Sequence, residues 1–267
     1  MKKYRRVVVI SDTHCGARSA ICPKEMIPKR IINPKNQLDI QQNKFIEIQN
    51  EIWKWYIKTI NCLQPVDILF HLGDCIDGKG EKSGGTELIT TDRNRQCDIA
   101  IRCIEVIKAK KIIMCYGTGY HTGNTEDFED IIANQIGAKI GSHEWCDVNG
   151  VLFDLKHHIG SSSVPYSRGT AIAKDKLWND IWAEKKLQPK SDILLRGHTH
   201  YDYFVGTSEW SAMYCPGMEW STKFGCRRCS GDVSIGLMVF DISPSGQYEW
   251  QYKMAKLPVM KTTAIKL

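Results

Sequence analysis

The sequence predicts an α/β fold of β-sheets covered by helices, on three observations. Short runs of β-branched and aliphatic residues at 7–10, 66–72, 111–115, 151–156 and 192–195 read as buried strands. Longer stretches with helical spacing lie at 41–63, 92–108, 126–136 and 169–186. The order is therefore largely strand, helix, strand, the pattern of a sheet with helical crossovers.

The run at 7–10 is too short for the apolar region of a signal peptide, although the basic start Met1-Lys2-Lys3 resembles the head of one. Residues 16–39 hold Pro23, Pro28 and Pro34 without periodicity and read as a long loop after the first strand, as 78–91 does after the second. In the first helix Phe45, Ile48, Ile52, Trp55 and Ile60 fall near one face, the simplest reading of which is core packing. The helix at 126–136 has Asn124 or Thr125 as its expected N-cap and Gly137 beyond its last apolar position. Runs at 234–242 and 248–252 flank a Pro-Ser-Gly turn and read as a closing hairpin.

With 42% hydrophobic and 25% charged residues, the composition is that of an ordinary globular protein, and residues 1–267 read as one domain. A net charge of +6 accommodates an anionic substrate but lacks the dense basic stripe of a dedicated nucleic-acid binder. No stretch has the roughly 18 apolar residues of a membrane span. Eleven cysteines, an odd number lying mostly in apolar runs, read as buried thiols of a reducing compartment, so a cytoplasmic protein is expected. Cys226 and Cys229 form a CxxC without the second pair that a structural zinc site needs.

Chemistry enters at the strand ends. The five strands run into Asp12-Thr13-His14, Gly73-Asp74 with Asp77, Gly117-Thr118-Gly119-Tyr120-His121, His157-His158, and Gly197-His198-Thr199-His200. In sheets with helical crossovers, ligands bind beyond the carboxyl ends of the strands, so these clusters are expected to converge. Carboxylate oxygen and neutral imidazole together suit divalent ions such as manganese, iron or zinc. His71, alone in an apolar run, and His143 read as structural.

In motif order, over residues 7–200, the chain resembles the calcineurin-like metallophosphoesterase superfamily, Gly197-His198-Thr199-His200 being the most specific element. The resemblance implies a four-layer α/β/β/α sandwich of two mixed β-sheets flanked by helices, with two divalent metal ions at the sheet ends: manganese first, with iron, zinc or nickel as alternatives. It gives the first ion Asp12, His14 and His200, the second His157 and His198, and makes Asp74 the bridge. Two such ions clamp a phosphoryl group and activate a water, so no protein nucleophile is required. His121 then protonates the leaving group or holds a phosphate oxygen. His157 is preferred to His158 because it shares the parity of Phe153 and Leu155. The family's third motif carries Gly-Asn-His, and the asparagine is absent here; Thr118 or water is the expected substitute.

The resemblance implies a phosphoester hydrolase. A phosphodiesterase acting on a nucleotide or single-stranded nucleic acid is expected from the positive charge and from Trp210, Tyr214, Trp220 and Phe224 beside Lys223, Arg227 and Arg228. Arg168 and His158 are the expected substrate contacts. A phosphomonoesterase is the rival reading. A non-catalytic binding module, or a subunit of a nuclease assembly, is the alternative from another class.

Overall fold

Alternate residues of the first strand face different cores, which sets the layer order. A computed structural model describes residues 3–123, 127–222, 233–257 and 264. In β1 (Arg5–Ile10), Val7 and Val9 enter one apolar cluster while Val8 and Ile10 enter another. A strand buried on both faces in this way has to lie inside a sheet.

The first sheet has the order β11-β10-β1-β2-β3-β4. Its members are β1, β2 (Ile68–His71), β3 (Lys111–Cys115), β4 (Lys139–Gly141), β10 (Gly236–Ile242) and β11 (Tyr248–Met254). The strands β1 to β4 are parallel, and β10 and β11 add an antiparallel edge. The second sheet, β5-β6-β7-β9-β8, contains β5 (Glu144–Val148), β6 (Val151–Lys156), β7 (Ile193–Arg196), β8 (Tyr203–Gly206) and β9 (Ser211–Tyr214). It is mixed as well, with β6, β7 and β9 parallel.

Between the sheets Val7, Val9, Phe70 and Leu72 meet Phe153, Leu155, Ile193 and Leu195. On the far face of the first sheet lie α1 (Gln37–Leu63), α2 (Arg93–Glu105) and α4 (Phe128–Ile136); the single turn α3 (Gly119–Thr122) precedes α4. On the far face of the second sheet, α5 (Thr170–Glu184) packs Ile172 against Leu194 and Tyr214. The expected four-layer α/β/β/α sandwich of two mixed sheets is the observed architecture.

Local departures have identifiable causes. The first helix starts at Gln37 because the Asn36 side chain accepts from the Asp39 amide at 2.9 Å, a cap that shortens the expected loop. Its inner face carries Ile48, Ile52, Tyr56 and Ile60; Trp55 is only half-buried, and Tyr56 takes the inner place by donating to the Cys103 carbonyl at 2.8 Å. Asn124 and Thr125 lie outside the described residues, and α4 is capped by Asp127, which accepts from the Glu129 amide at 3.0 Å. Gly137 ends that helix in the left-handed conformation, as expected.

The segment expected to form an aromatic stacking surface is largely interior. Tyr214 is fully buried on β9, and Trp210 and Trp220 pack against apolar clusters. Lys223, Phe224, Cys226, Arg227, Arg228 and Cys229 lie outside the described residues. Among the described residues no helix is long and apolar enough to cross a membrane.

Candidate metal centre

Five residues at the strand ends adopt backbone conformations that L-residues seldom hold. Asp12, His14, Asp74, His198 and His200 have φ of 50°, 39°, 53°, 70° and 56°. Each such residue costs on the order of 1–3 kcal/mol, a strain that collects where geometry serves a site. Asp12 and His14 follow β1, Asp74 follows β2, and His198 and His200 follow β7, so adjacent turns bend toward one place.

Three groups of ligand-type side chains result: Asp12, His14 and His200 in the first, Asp74, His157 and His198 in the second, and Asp77 and His121 with the shared His14 in a third. In the first, His14 Nε2 lies 3.1 Å from His200 Nε2, and Asp12 Oδ1 lies 3.4 Å from His200 Nε2. In the second, His157 Nε2 lies 3.1 Å from Asp74 Oδ2. These two groups adjoin, since the His198 amide donates to Asp12 Oδ2 at 3.0 Å and the His157 and His198 rings are 5.3 Å apart.

Outer hydrogen bonds set which nitrogen faces inward. His157 Nδ1 donates to the Leu72 carbonyl at 2.6 Å, which leaves Nε2 as the lone-pair nitrogen; it is buried and without a hydrogen bond. His14 Nδ1 donates to Asp77 Oδ1 at 3.1 Å and likewise presents Nε2. This carboxylate or carbonyl backing of an imidazole is the arrangement found behind metal-binding histidines. Converging lone pairs, an orphaned buried nitrogen and mixed imidazole and carboxylate donors all fit divalent cations.

The charges agree. Burial alone would lower His157, but the Asp74 carboxylate pushes it up to about 9. Burial would raise Asp74, yet His157 and His14 hold its carboxyl well below the usual range. His198, by contrast, is lowered to about 4 by burial and by its neighbour His157. A proton on His157 thus offsets carboxylate charge where no cation is present.

The third motif follows a different local path. Thr118 donates to Asp74 Oδ1 through its amide at 2.6 Å and through its hydroxyl at 3.1 Å. His121, one-fifth exposed, donates from Nδ1 to the Asp77 carbonyl at 3.0 Å, and its ring meets that of His14 edge-on at 4.5 Å. His158 is exposed, with its ring 4.7 Å from that of His198. The Arg168 guanidinium sits 4.5 Å above the Tyr201 ring. His71 is fully buried between Thr13 and Gly73, and His143 backs Asp154, so both occupy structural positions.

Three carboxylates carry roles that the sequence left unassigned. Asp77 serves both His14 and His121. Glu129 accepts from the Cys75 amide at 2.8 Å and the Gly117 amide at 2.6 Å, tying the loops after β2 and β3; burial and the Asp74 charge push it up to about 7. Glu219 is buried beside His14. The spacing of Asp77 from Asp74 was the available signal for the first, and neither of the others has one in the chain.

No protein-family model matches the chain, and no curated protein matches it. Among solved structures it is similar to zinc-bound Vps29 of Entamoeba histolytica, at 13% identity and a TM-score of 0.46, with 94% of this chain and 99% of that one covered. It is also similar to an archaeal phosphodiesterase, at 14% identity and a TM-score of 0.43, with coverage of 93% and 99%. A predicted phosphoesterase of Streptococcus pneumoniae matches at 10% identity and a TM-score of 0.37, with coverage of 95% and 100%. In motif order, and in the two-sheet α/β fold that presents those motifs at its strand ends, the chain resembles the calcineurin-like metallophosphoesterase superfamily.

Proposed function

We propose that this protein is a phosphoester hydrolase dependent on two divalent metal ions, manganese being the first choice. Asp12, His14 and His200 hold one ion, His157 and His198 hold the other, and Asp74 lies between them. The observation that carries this reading is the pair of adjoining ligand groups in which His14 and His157 are each pinned at Nδ1 and turn Nε2 inward. Bound ions of this kind polarise a phosphoryl oxygen and lower the pKa of water.

The remaining chemistry belongs to the chain's own residues. Thr118 orients Asp74 through two donors. With Nδ1 committed to the Asp77 carbonyl, His121 has Nε2 free to hold a proton and pass it to the leaving oxygen. His158, exposed at the rim, is proposed to contact the substrate phosphate, with Arg168 as a second contact.

Within this class we assign a phosphodiesterase of nucleotides or nucleic acid. The described side chains seen in hydrogen-bond or ion-pair contact with the two groups include histidines, carboxylates, Thr118 and Ser11. With Arg168 the one arginine proposed to reach the phosphate, such a rim suits the single charge of a diester better than the dianion of a monoester. The test is turnover of bis-p-nitrophenyl phosphate against p-nitrophenyl phosphate with manganese; a strong monoester preference would exclude the diesterase reading. Asp74→Asn is expected to abolish hydrolysis with the fold preserved.

One observation favours a second reading, as a subunit of an assembly. α5 turns Lys176 and Asn179 inward and Leu177, Trp178 and Trp182 outward, and Lys174, Lys185 and Lys186 flank that apolar face. An acidic, apolar segment of a partner protein would complement it. Loss of partner capture in Trp178→Glu with hydrolysis intact would support this role.

A further inference from the structure

Four carboxylates surround the first ligand group and its junction with the second: Asp12, Asp74, Asp77 and Glu219. Their ion-pair partners among the described residues are histidines, which must be neutral to bind metal. Two divalent ions would bring four positive charges to balance against this set, and Glu219 is the one of the four carboxylates that no strand-end motif supplies.

Its position fits a direct part in that balance. Glu219 is 5% exposed and follows Met218, whose amide donates to the Asp12 carbonyl at 3.0 Å. Oε1 accepts from the Ser19 hydroxyl at 3.0 Å, and Oε2 lies 4.0 Å from His14 Nε2. Two atoms bound to one ion at roughly 2.0–2.2 Å stand at most about 4.4 Å apart. The Glu219 to His14 separation lies within that reach, while Glu219 stands outside the mutually close set of Asp12, His14 and His200, so a turn of its side chain would bring it onto the ion.

We propose that Glu219 supplies a further carboxylate to the first metal position, making it the more strongly binding of the two. The proposal rests on the two-ion reading above. It adds to that reading a residue outside the strand-end motifs, brought in by the segment after β9.

The test is calorimetric titration of chelator-treated protein with manganese, together with melting temperatures with and without the ion. Glu219→Gln, nearly isosteric, is expected to weaken the tighter ion by about 10–100-fold, the range of losses for groups that support a metal site. It should leave the metal-free melting temperature unchanged or raised, because a buried charge without a cation is removed, and should shrink the rise that manganese produces. Ser19→Ala, which keeps the carboxylate, should bind manganese within a few-fold of the original chain. Unchanged manganese affinity in Glu219→Gln, or an equal loss in Ser19→Ala, overturns the proposal. Should Glu219→Gln fail to fold, Glu219→Asp, with the carboxylate drawn back by one methylene, is titrated in its place; weaker binding of the tighter ion is expected there too, and unchanged affinity overturns the proposal. Absence of manganese binding by the original chain would instead sink the two-ion reading itself.

Discussion

The Asp74 carboxylate rests directly on the α-carbon of Gly117. A methyl group built on Gly117 would lie 2.1 Å from Asp74 Oδ1 and 2.3 Å from the Asp74 backbone nitrogen. The carboxylate could rotate away, but the backbone nitrogen, in a turn at φ 53°, has nowhere to go. Gly117→Ala is therefore expected to displace the turn that carries Asp74 and to lower metal-dependent hydrolysis at least 100-fold, a scale usual for misplaced catalytic groups. Circular dichroism should show the sheets retained, and hydrolysis near the original rate would contradict the placement of Asp74.

Thr118 stands where the superfamily that the chain resembles carries an asparagine, and both its amide and its hydroxyl are spent on Asp74. The second ion is thus expected to bind more weakly than the first. Thr118→Asn should retain manganese binding and tighten the weaker ion, by up to about tenfold on the scale of supporting groups. Titration of the chelated variant checks this, and loss of the second ion would contradict it.

The strand-end residues were legible because each motif is local: Asp12 with His14, and His198 with His200, are two residues apart in the chain. The parity of Phe153 and Leu155 selected His157, which is buried beside Asp74, while His158 is exposed. Glu129 and Glu219 could not be read in this way. A lone carboxylate in a helix first turn, or after a Pro-Gly pair, acquires meaning only from neighbours that the fold supplies. The same limit explains Tyr214: aromatic and basic composition resembled a binding surface, but β9 pairs with β7 and turns that ring into the layer under α5. The strands β4, β5, β8 and β9 were not anticipated: β4 and β8 are short and only partly buried, β5 carries polar residues among its apolar ones, and β9, though buried, has four residues and no β-branched one.

The second sheet hides an ionic group whose pH response can be stated. Arg196, 2% exposed, donates to Asp154 Oδ1 at 2.7 Å and to Asp175 Oδ2 at 2.9 Å, and His143 Nε2 lies 2.8 Å from Asp154. Burial would raise the Asp154 carboxyl, but Arg196 and His143 hold it below the usual range. The unfolded chain therefore takes up this proton first as pH falls. The stability contributed is complete above about pH 4 and lost as pH drops through the folded-state value. Asp154→Asn is expected to cost about 3–5 kcal/mol at neutral pH, because a buried guanidinium loses its main partner. Urea unfolding between pH 3 and 7 should show a flatter acid limb in the variant, and parallel curves would contradict the assignment.

Seven described cysteines are buried and Cys62 is exposed. Burial pushes the Cys97 thiol up to about 12, and it raises Cys22 and Cys115 further. Since the thiolate is the reactive form, a small alkylating agent at neutral pH should modify Cys62 in the native protein and leave the buried seven until denaturant is added. Peptide mass mapping gives the result, and early labelling of Cys97 would show that α2 is not packed as described.

The pair of adjoining ion positions is tested most directly by calorimetric titration of chelator-treated protein with manganese, read alongside recovery of bis-p-nitrophenyl phosphate hydrolysis in the same samples. Two ions per chain of unequal affinity are expected, the weaker lost in His157→Ala, with hydrolysis that returns only as the second position fills. One ion or none per chain, or hydrolysis unaffected by chelation, would contradict the two-ion centre.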